Sequence, residues 1–174
     1  MISERDIVLE PVEQSNKDLL DNLWQFYELE SSVWSETDID ASGRYASLEE
    51  FLGRLGAADA FEWGFIIRYQ MNIVGFIIVA DEFLNGVPIR EFADIYILPK
   101  YRGLGIATAV TCMTLSKASH PWLLCVYRKD EIALKFWKNA FNRLQFKSIS
   151  ENNPPEVDEF YEFIINDTES IHLK

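Results

Sequence analysis

Arg102, Gly103, Gly105 and Ala107 are the residues whose types and spacing carry the clearest chemistry in this 174-residue chain. They lie in the stretch EFADIYILPKYRGLGIATAV, Glu91–Val110, which reads as a strand, a tight turn and the start of a helix. Small residues at 103, 105 and 107 leave the backbone uncovered. The helix that follows aims its unpaired N–H groups into the same turn, which suits a phosphate or pyrophosphate. Pro99 ends the strand, because it cannot donate to a ladder. The dinucleotide fingerprint needs a third glycine that is missing here. A P-loop needs Lys-Ser/Thr where Ile106-Ala107 stands.

Two carboxylates, Glu91 and Asp94, lie on the strand that leads into this turn. Alternation puts Glu91, Ala93, Ile95 and Ile97 on one side, and Phe92, Asp94, Tyr96 and Leu98 on the other. A β-bulge would turn Asp94 to the first side. Downstream, Asp130, Ala133, Phe136 and Trp137 share one face of a predicted helix. His120 and His172 lack metal-ligand spacing, and no serine or cysteine sits in a nucleophile elbow. No metal is expected.

The elements that must position these residues follow from periodicity and turn signals. Strands are predicted at Ile7–Val12, Glu62–Tyr69, Ile73–Asp81, Ile89–Leu98, Trp122–Tyr127, Phe146–Ile149 and Phe160–Ile165. Helices are predicted from Asn16, as cap, to about Val33; after a Ser47/Glu50 capping box; at Leu104–Ala118; and at Asp130–Leu144. Leu19, Leu20, Leu23, Trp24, Phe26 and Tyr27 form the inward face of the first helix. Ile132, Phe136, Trp137, Ala140, Phe141 and Leu144 form that of the last. The order β-α-α-β-β-β-α-β-α-β-β implies an α/β or α+β fold, a mixed sheet with helices on both faces. Residues 1–174 read as one domain.

Composition narrows the function. With 48% hydrophobic residues the chain can build a core. The longest apolar run, Ile73–Ala80, is too short to span a membrane. Without a signal-peptide pattern, and with Cys112 and Cys125 read as buried thiols, a cytoplasmic protein is expected. The net charge of −12 is uneven: residues 1–64 carry 15 acidic and four basic side chains, residues 65–150 six and 11. A basic centre suits an anionic ligand, and acidic flanks disfavour nucleic acid.

The run from Ile97 to Ala107, ILPKYRGLGIA, closely resembles the acyl-coenzyme A signature of the GNAT N-acetyltransferases, Q/R-x-x-G-x-G/A. Asp130-x-x-Ala133-x-x-Phe136-Trp137 is similar to the N-x-x-A-x-x-F-Y of that family. The resemblance implies a mixed, mostly antiparallel sheet of about seven strands with about four helices. It implies acetyl-coenzyme A as cosubstrate and a primary amine as acceptor, attacked directly. Arg102, Gly103, Leu104, Gly105, Ile106 and Ala107 would meet the pyrophosphate, and Ile97 and Leu98 the pantetheine. Asp130, Ala133, Phe136 and Trp137 would flank the pantetheine arm.

Family branches place a catalytic base at the positions of Glu91 or Ala93. Glu91 is thus the first candidate here and Asp94 the second. Trp137 replaces the tyrosine that often protonates the thiolate, and an indole N–H is no acid near neutral pH. Tyr127 or water would supply the proton instead. In the family the first two helices and the last hairpin loop surround the acceptor. Those acidic segments imply a cationic small-molecule amine or basic peptide, with Trp24, Tyr27 and Trp34 as aromatic faces. Phe-Trp in place of Phe-Tyr marks a less typical branch, and a coenzyme A-binding module without catalysis is the alternative. A monomer or homodimer is expected, with no nucleic-acid or membrane partner.

Overall fold

The computed structural model describes residues 4–57, 60–116, 118 and 120–167; His172 and position 117 of the predicted third helix lie outside the described residues. Among the described residues seven strands form one sheet: β1 (Ile7–Pro11), β2 (Glu62–Tyr69), β3 (Asn72–Leu84), β4 (Val87–Ile97), β5 (Trp122–Tyr127), β6 (Ile149–Asn152) and β7 (Phe160–Ile165). Their spatial order is β1-β2-β3-β4-β5-β7-β6. Every neighbouring pair is antiparallel except β4 and β5, which run parallel. Helices α1 (Lys17–Ser35), α2 (Glu49–Gly53), α3 (Ile106–Thr111) and α4 (Glu131–Arg143) complete the fold. The architecture is the mixed, mostly antiparallel α+β one expected.

Each face of the sheet carries its own core. Leu20 and Leu23 of α1 and Phe51 of α2 pack on Ile66, Phe76 and Tyr96. On the other face, Ile106 and Val110 of α3 and Trp137 and Ala140 of α4 pack on Phe92 and Ile97. Two tight hairpins hold β2, β3 and β4 in register, the second through Asn85-Gly86, the pair such a turn favours.

Several local expectations are corrected. Asn16 stands at the start of α1 but makes no side-chain cap, because its amide bonds Glu13, Glu10 and Pro11 instead. The Ser47/Glu50 box does not form, since α2 begins at Glu49 and has Leu48 at its cap. Phe26 and Ile132 lie on outer helix faces, 50% and 84% exposed. β6 starts at Ile149; Phe146 instead packs edge-on against Phe141. The helix predicted over Leu104–Ala118 starts at Ile106 and passes into a π-helical turn, Cys112–Ser116. There the Thr114 and Ser116 hydroxyls bond the carbonyls of Val110 and Cys112, and Asn166 Nδ2 donates to Leu115 O at 2.6 Å. Such side-chain bonds compete with the helical ladder.

Candidate active site

β4 and β5 pair only at Arg90 with Trp122 and Glu91 with Leu123. Beyond that point the two strands separate. The opening is a cleft of about 520 Å³ floored by Glu91–Ile95 and Leu124–Tyr127. Ala133 and Trp137 of α4 line it from one side, Tyr27 and Trp34 of α1 from the other. Trp137, 3% exposed, meets Phe92 edge-to-face at 5.6 Å.

A bulge decides which side chains enter. Val79 pairs with Phe92 and Ile78 with Asp94, so Ala93 is the extra residue on β4. Simple alternation is broken there. Asp94 and Tyr96 join Glu91 on the α1 face, while Ile95 and Ile97 join Phe92 against α3 and α4. The grouping of Ile95 and Ile97 with Glu91 is thereby corrected.

Both carboxyls are half-buried, and this shifts their ionisation. Burial pushes Glu91 up to about 7; the neighbouring Cys125 thiol works against the rise, and the charges of Glu82, Asp94 and Glu162 add to it. Asp94 rises to about 6, again chiefly by burial, opposed by the Tyr27 hydroxyl and reinforced by Glu28 and Glu62. Desolvation disfavours the charged form in both. A carboxyl near 7 can exchange a proton at neutral pH.

The glycine turn lies at the end of the same strand. Gly103 and Gly105 have φ of 76° and 91°, a region L side chains rarely adopt. A Cβ at either would meet nothing within 4 Å, so the space above this backbone is open. Ile106 buries its side chain in the core, whereas Leu104 is half-exposed. Leu98 N–H bonds Val74 O at 2.8 Å, which makes Leu98 part of the β3 ladder. Antiparallel pairing alternates along a strand. The backbone groups of Ile95 and Ile97 therefore face the opening, and Leu98 does not.

Arg102 is engaged away from the turn. Its Nε donates to Ile97 O at 2.7 Å, and an Nη reaches Glu30 of α1 at 2.8 Å. Tyr96 Oη donates to the same carboxylate at 2.7 Å. Asp130 caps α4 by accepting from Ala133 N at 2.9 Å, which uses one of its oxygens. Phe136 supports Trp137 edge-on at 5.1 Å and is not among the cleft-lining residues.

Tyr127 and Trp34 stack at 4.8 Å and together wall the outer end of the cleft. Trp24 does not reach it; it packs on Tyr27 and Phe76 and donates to Ala46 O. Two polar lining residues were not among the site candidates read from the sequence, Cys125 and Glu162. They are direct partners across β5 and β7. The register of those strands, separated by α4, was the signal, and no local motif carries it.

The model of the acetyltransferase (GNAT) family matches residues 21–141. The chain belongs to this family. It is an acyltransferase of the GNAT type, in a family that uses acetyl-coenzyme A. No curated protein is similar enough to the chain to match. Solved acetyltransferases share its fold. One from Thermus thermophilus has a TM-score of 0.62 at 14% identity, over 91% of this chain and 95% of that one. A mutant spermidine N-acetyltransferase SpeG from Vibrio cholerae has a TM-score of 0.58 at 15% identity, over 93% and 95%. RimL, a ribosomal L7/L12 α-N-protein acetyltransferase in complex with coenzyme A, has a TM-score of 0.50 at 12% identity, over 92% of each chain. In this acetyltransferase no helix of the described residues is long and apolar enough to cross a membrane, and no metal-ligating cluster occurs among them.

Proposed function

We propose that this acetyltransferase moves an acetyl group from acetyl-coenzyme A to the primary amine of a cationic acceptor. The observation that carries this reading is the β4–β5 cleft, which holds Glu91 on the strand that ends in an open glycine turn. Acetyl-coenzyme A supplies an activated acyl carbonyl, which the amine attacks directly. The backbone N–H groups of Leu104–Ala107 would hold its pyrophosphate, and the edge at Ile95 and the Ile97 N–H its pantetheine amides, since Arg102 already uses the Ile97 carbonyl. Ala133 and Trp137 would flank the arm, and the second oxygen of Asp130 remains an acceptor.

Glu91 takes the proton that the ammonium must lose, directly or through water. Its raised affinity for protons matches that task. Asp94 is the second candidate. Trp137 excludes water and moves no proton. A coenzyme A thiol has a pKa of about 8–9, so Tyr127 or water suffices to protonate it.

Among the described residues the cleft lining carries Glu91, Asp94, Asp130 and Glu162 and no basic side chain. That balance, with the Tyr27 and Trp34 rings, favours a polyamine, an aminoglycoside-like compound or a basic peptide. A panel of primary amines tests the reading, with coenzyme A thiol release and product mass as readouts. Cationic amines should lead the panel. A neutral or anionic best substrate would refute the cationic acceptor, and no product from any amine would refute the transfer.

A further inference from the structure

Helix α1 is held in different ways along its length. Its first half is seated by buried Leu20 and Leu23; beyond Leu23 the only buried residue of α1 is Ser31. Phe26, Leu29 and Val33 point outward, 50%, 57% and 85% exposed. The second half gains little from apolar burial, yet it supplies Tyr27 and Trp34 to the cleft. Its position therefore depends on side-chain contacts.

Glu30 lies between those two residues. Tyr27, Glu30 and Trp34 stand at i, i+3 and i+7 and share one helical face. The Glu30 carboxylate takes its contacts from β4 and the turn beyond it. Tyr96 Oη donates to Oε1 at 2.7 Å, and one Arg102 Nη lies 2.9 Å from Oε1 and 2.8 Å from Oε2. Both donors are themselves fixed. Tyr96 is 5% exposed, in the core that α1 covers. Arg102 is tied to the end of β4 by its Nε on Ile97 O, and its guanidinium sits 5.3 Å from the Tyr96 ring centre. A lone exposed ion pair is worth little, because two flexible side chains must be ordered to form it. Here the donors are already ordered, so that cost falls mainly on Glu30.

We propose that Glu30 is a positioning residue for acceptor binding: it braces the cleft-lining stretch of α1 against Tyr96 and Arg102, and so holds Tyr27 and Trp34 where the amine meets them. Arg102 is the far end of this brace. The proposal rests on the reading of the β4–β5 cleft as the acceptor site.

The full chain with Glu30→Ala tests it. Alanine favours the helix, so α1 itself stays formed. Hydrogen exchange of the backbone amides of residues 27–34 reads the brace without any turnover. KM and kcat for the best amine, at saturating acetyl-coenzyme A, read its consequence. Exchange should quicken by about threefold to tenfold and the acceptor KM should rise by a similar factor, between the worth of a lone exposed ion pair and that of a charged hydrogen bond. The value of kcat should stay within about twofold, as expected when binding alone is weakened. Tyr96→Phe loses one donor and should move exchange and KM in the same direction by less. Glu30→Gln keeps one acceptor oxygen and should restore most of the wild-type KM. Unmoved exchange and KM in Glu30→Ala overturn the brace. A higher KM with unmoved exchange makes Glu30 a direct ligand of the amine and overturns the positioning role. Quicker exchange with an unmoved KM takes α1 out of the acceptor wall and overturns that part of the reading of the cleft.

Discussion

The β4–β5 cleft and the glycine turn beyond it are built on different principles. At the turn, the proposed cofactor end, Arg102–Ala107 offer backbone: left-handed glycines, open space above them, and N–H groups at the start of α3. In the cleft, the proposed acceptor end, Glu91, Asp94, Tyr127 and Trp34 come from three elements and offer side chains. A backbone site depends on a few adjacent residues having no bulk. A side-chain site depends on a bulge, a parallel pairing that stops after two residues, and burial that shifts two carboxyls. Substitutions should therefore separate the two ends, binding at one and chemistry at the other.

The largest effect belongs to the acceptor end. Glu91→Gln should lower kcat by about 10²–10⁴-fold, the usual contribution of a general base, and leave acetyl-coenzyme A affinity in place. A larger loss in Asp94→Asn than in Glu91→Gln would transfer the role of base to Asp94. At the cofactor end, Gly105→Val puts a branched side chain over the open turn. Acetyl-coenzyme A affinity by calorimetry should fall by about tenfold or more. The left-handed φ also strains the variant, so circular dichroism must show a native fold at the assay temperature. Wild-type affinity in the folded variant would remove the pyrophosphate from this turn.

The next contrast is in stability. Glu91 and Asp94 titrate near 7 and 6 in the folded protein, above their ordinary values of 4.5 and 3.8. Between about pH 4 and 7 the native state therefore binds more protons than the unfolded chain. These two groups favour folding at low pH, and their contribution is lost as pH rises through the folded values. Glu91→Gln and Asp94→Asn should thus melt higher than wild type at pH 8, with the gap closing near pH 5. A gap that is constant with pH would contradict the buried-charge account. Glycine-turn variants should show no such slope.

Two smaller effects sharpen the comparison further. The KM for a cationic acceptor should rise with salt, because solvent-facing charge is screened over about 8–10 Å at physiological ionic strength. A salt-independent KM would remove electrostatics from acceptor capture. Trp137→Phe should keep most of the activity, because the indole packs on Phe92, Phe136 and Phe141 and transfers no proton. A thousandfold loss in the folded variant would give Trp137 a chemical role.

What could be read from the chain alone was whatever depends on neighbours in sequence. The small residues at 103, 105 and 107, the Asp130/Ala133/Trp137 spacing and the order of strands and helices are local, and their backbone consequences do not wait for the rest of the fold. Asp94 shows where that ends: one extra residue at Ala93 reverses every later side chain on β4, and only pairing with β3 locates it. Arg102 reads as a phosphate ligand in its own segment, yet Glu30, on the first helix, claims it in space. The Cys125–Glu162 pair exists only through the β5–β7 register. Motif and order followed from chain-local sterics and turn chemistry. Which polar groups meet, and how strongly burial shifts them, was decided by tertiary structure, because desolvation and charge act through space.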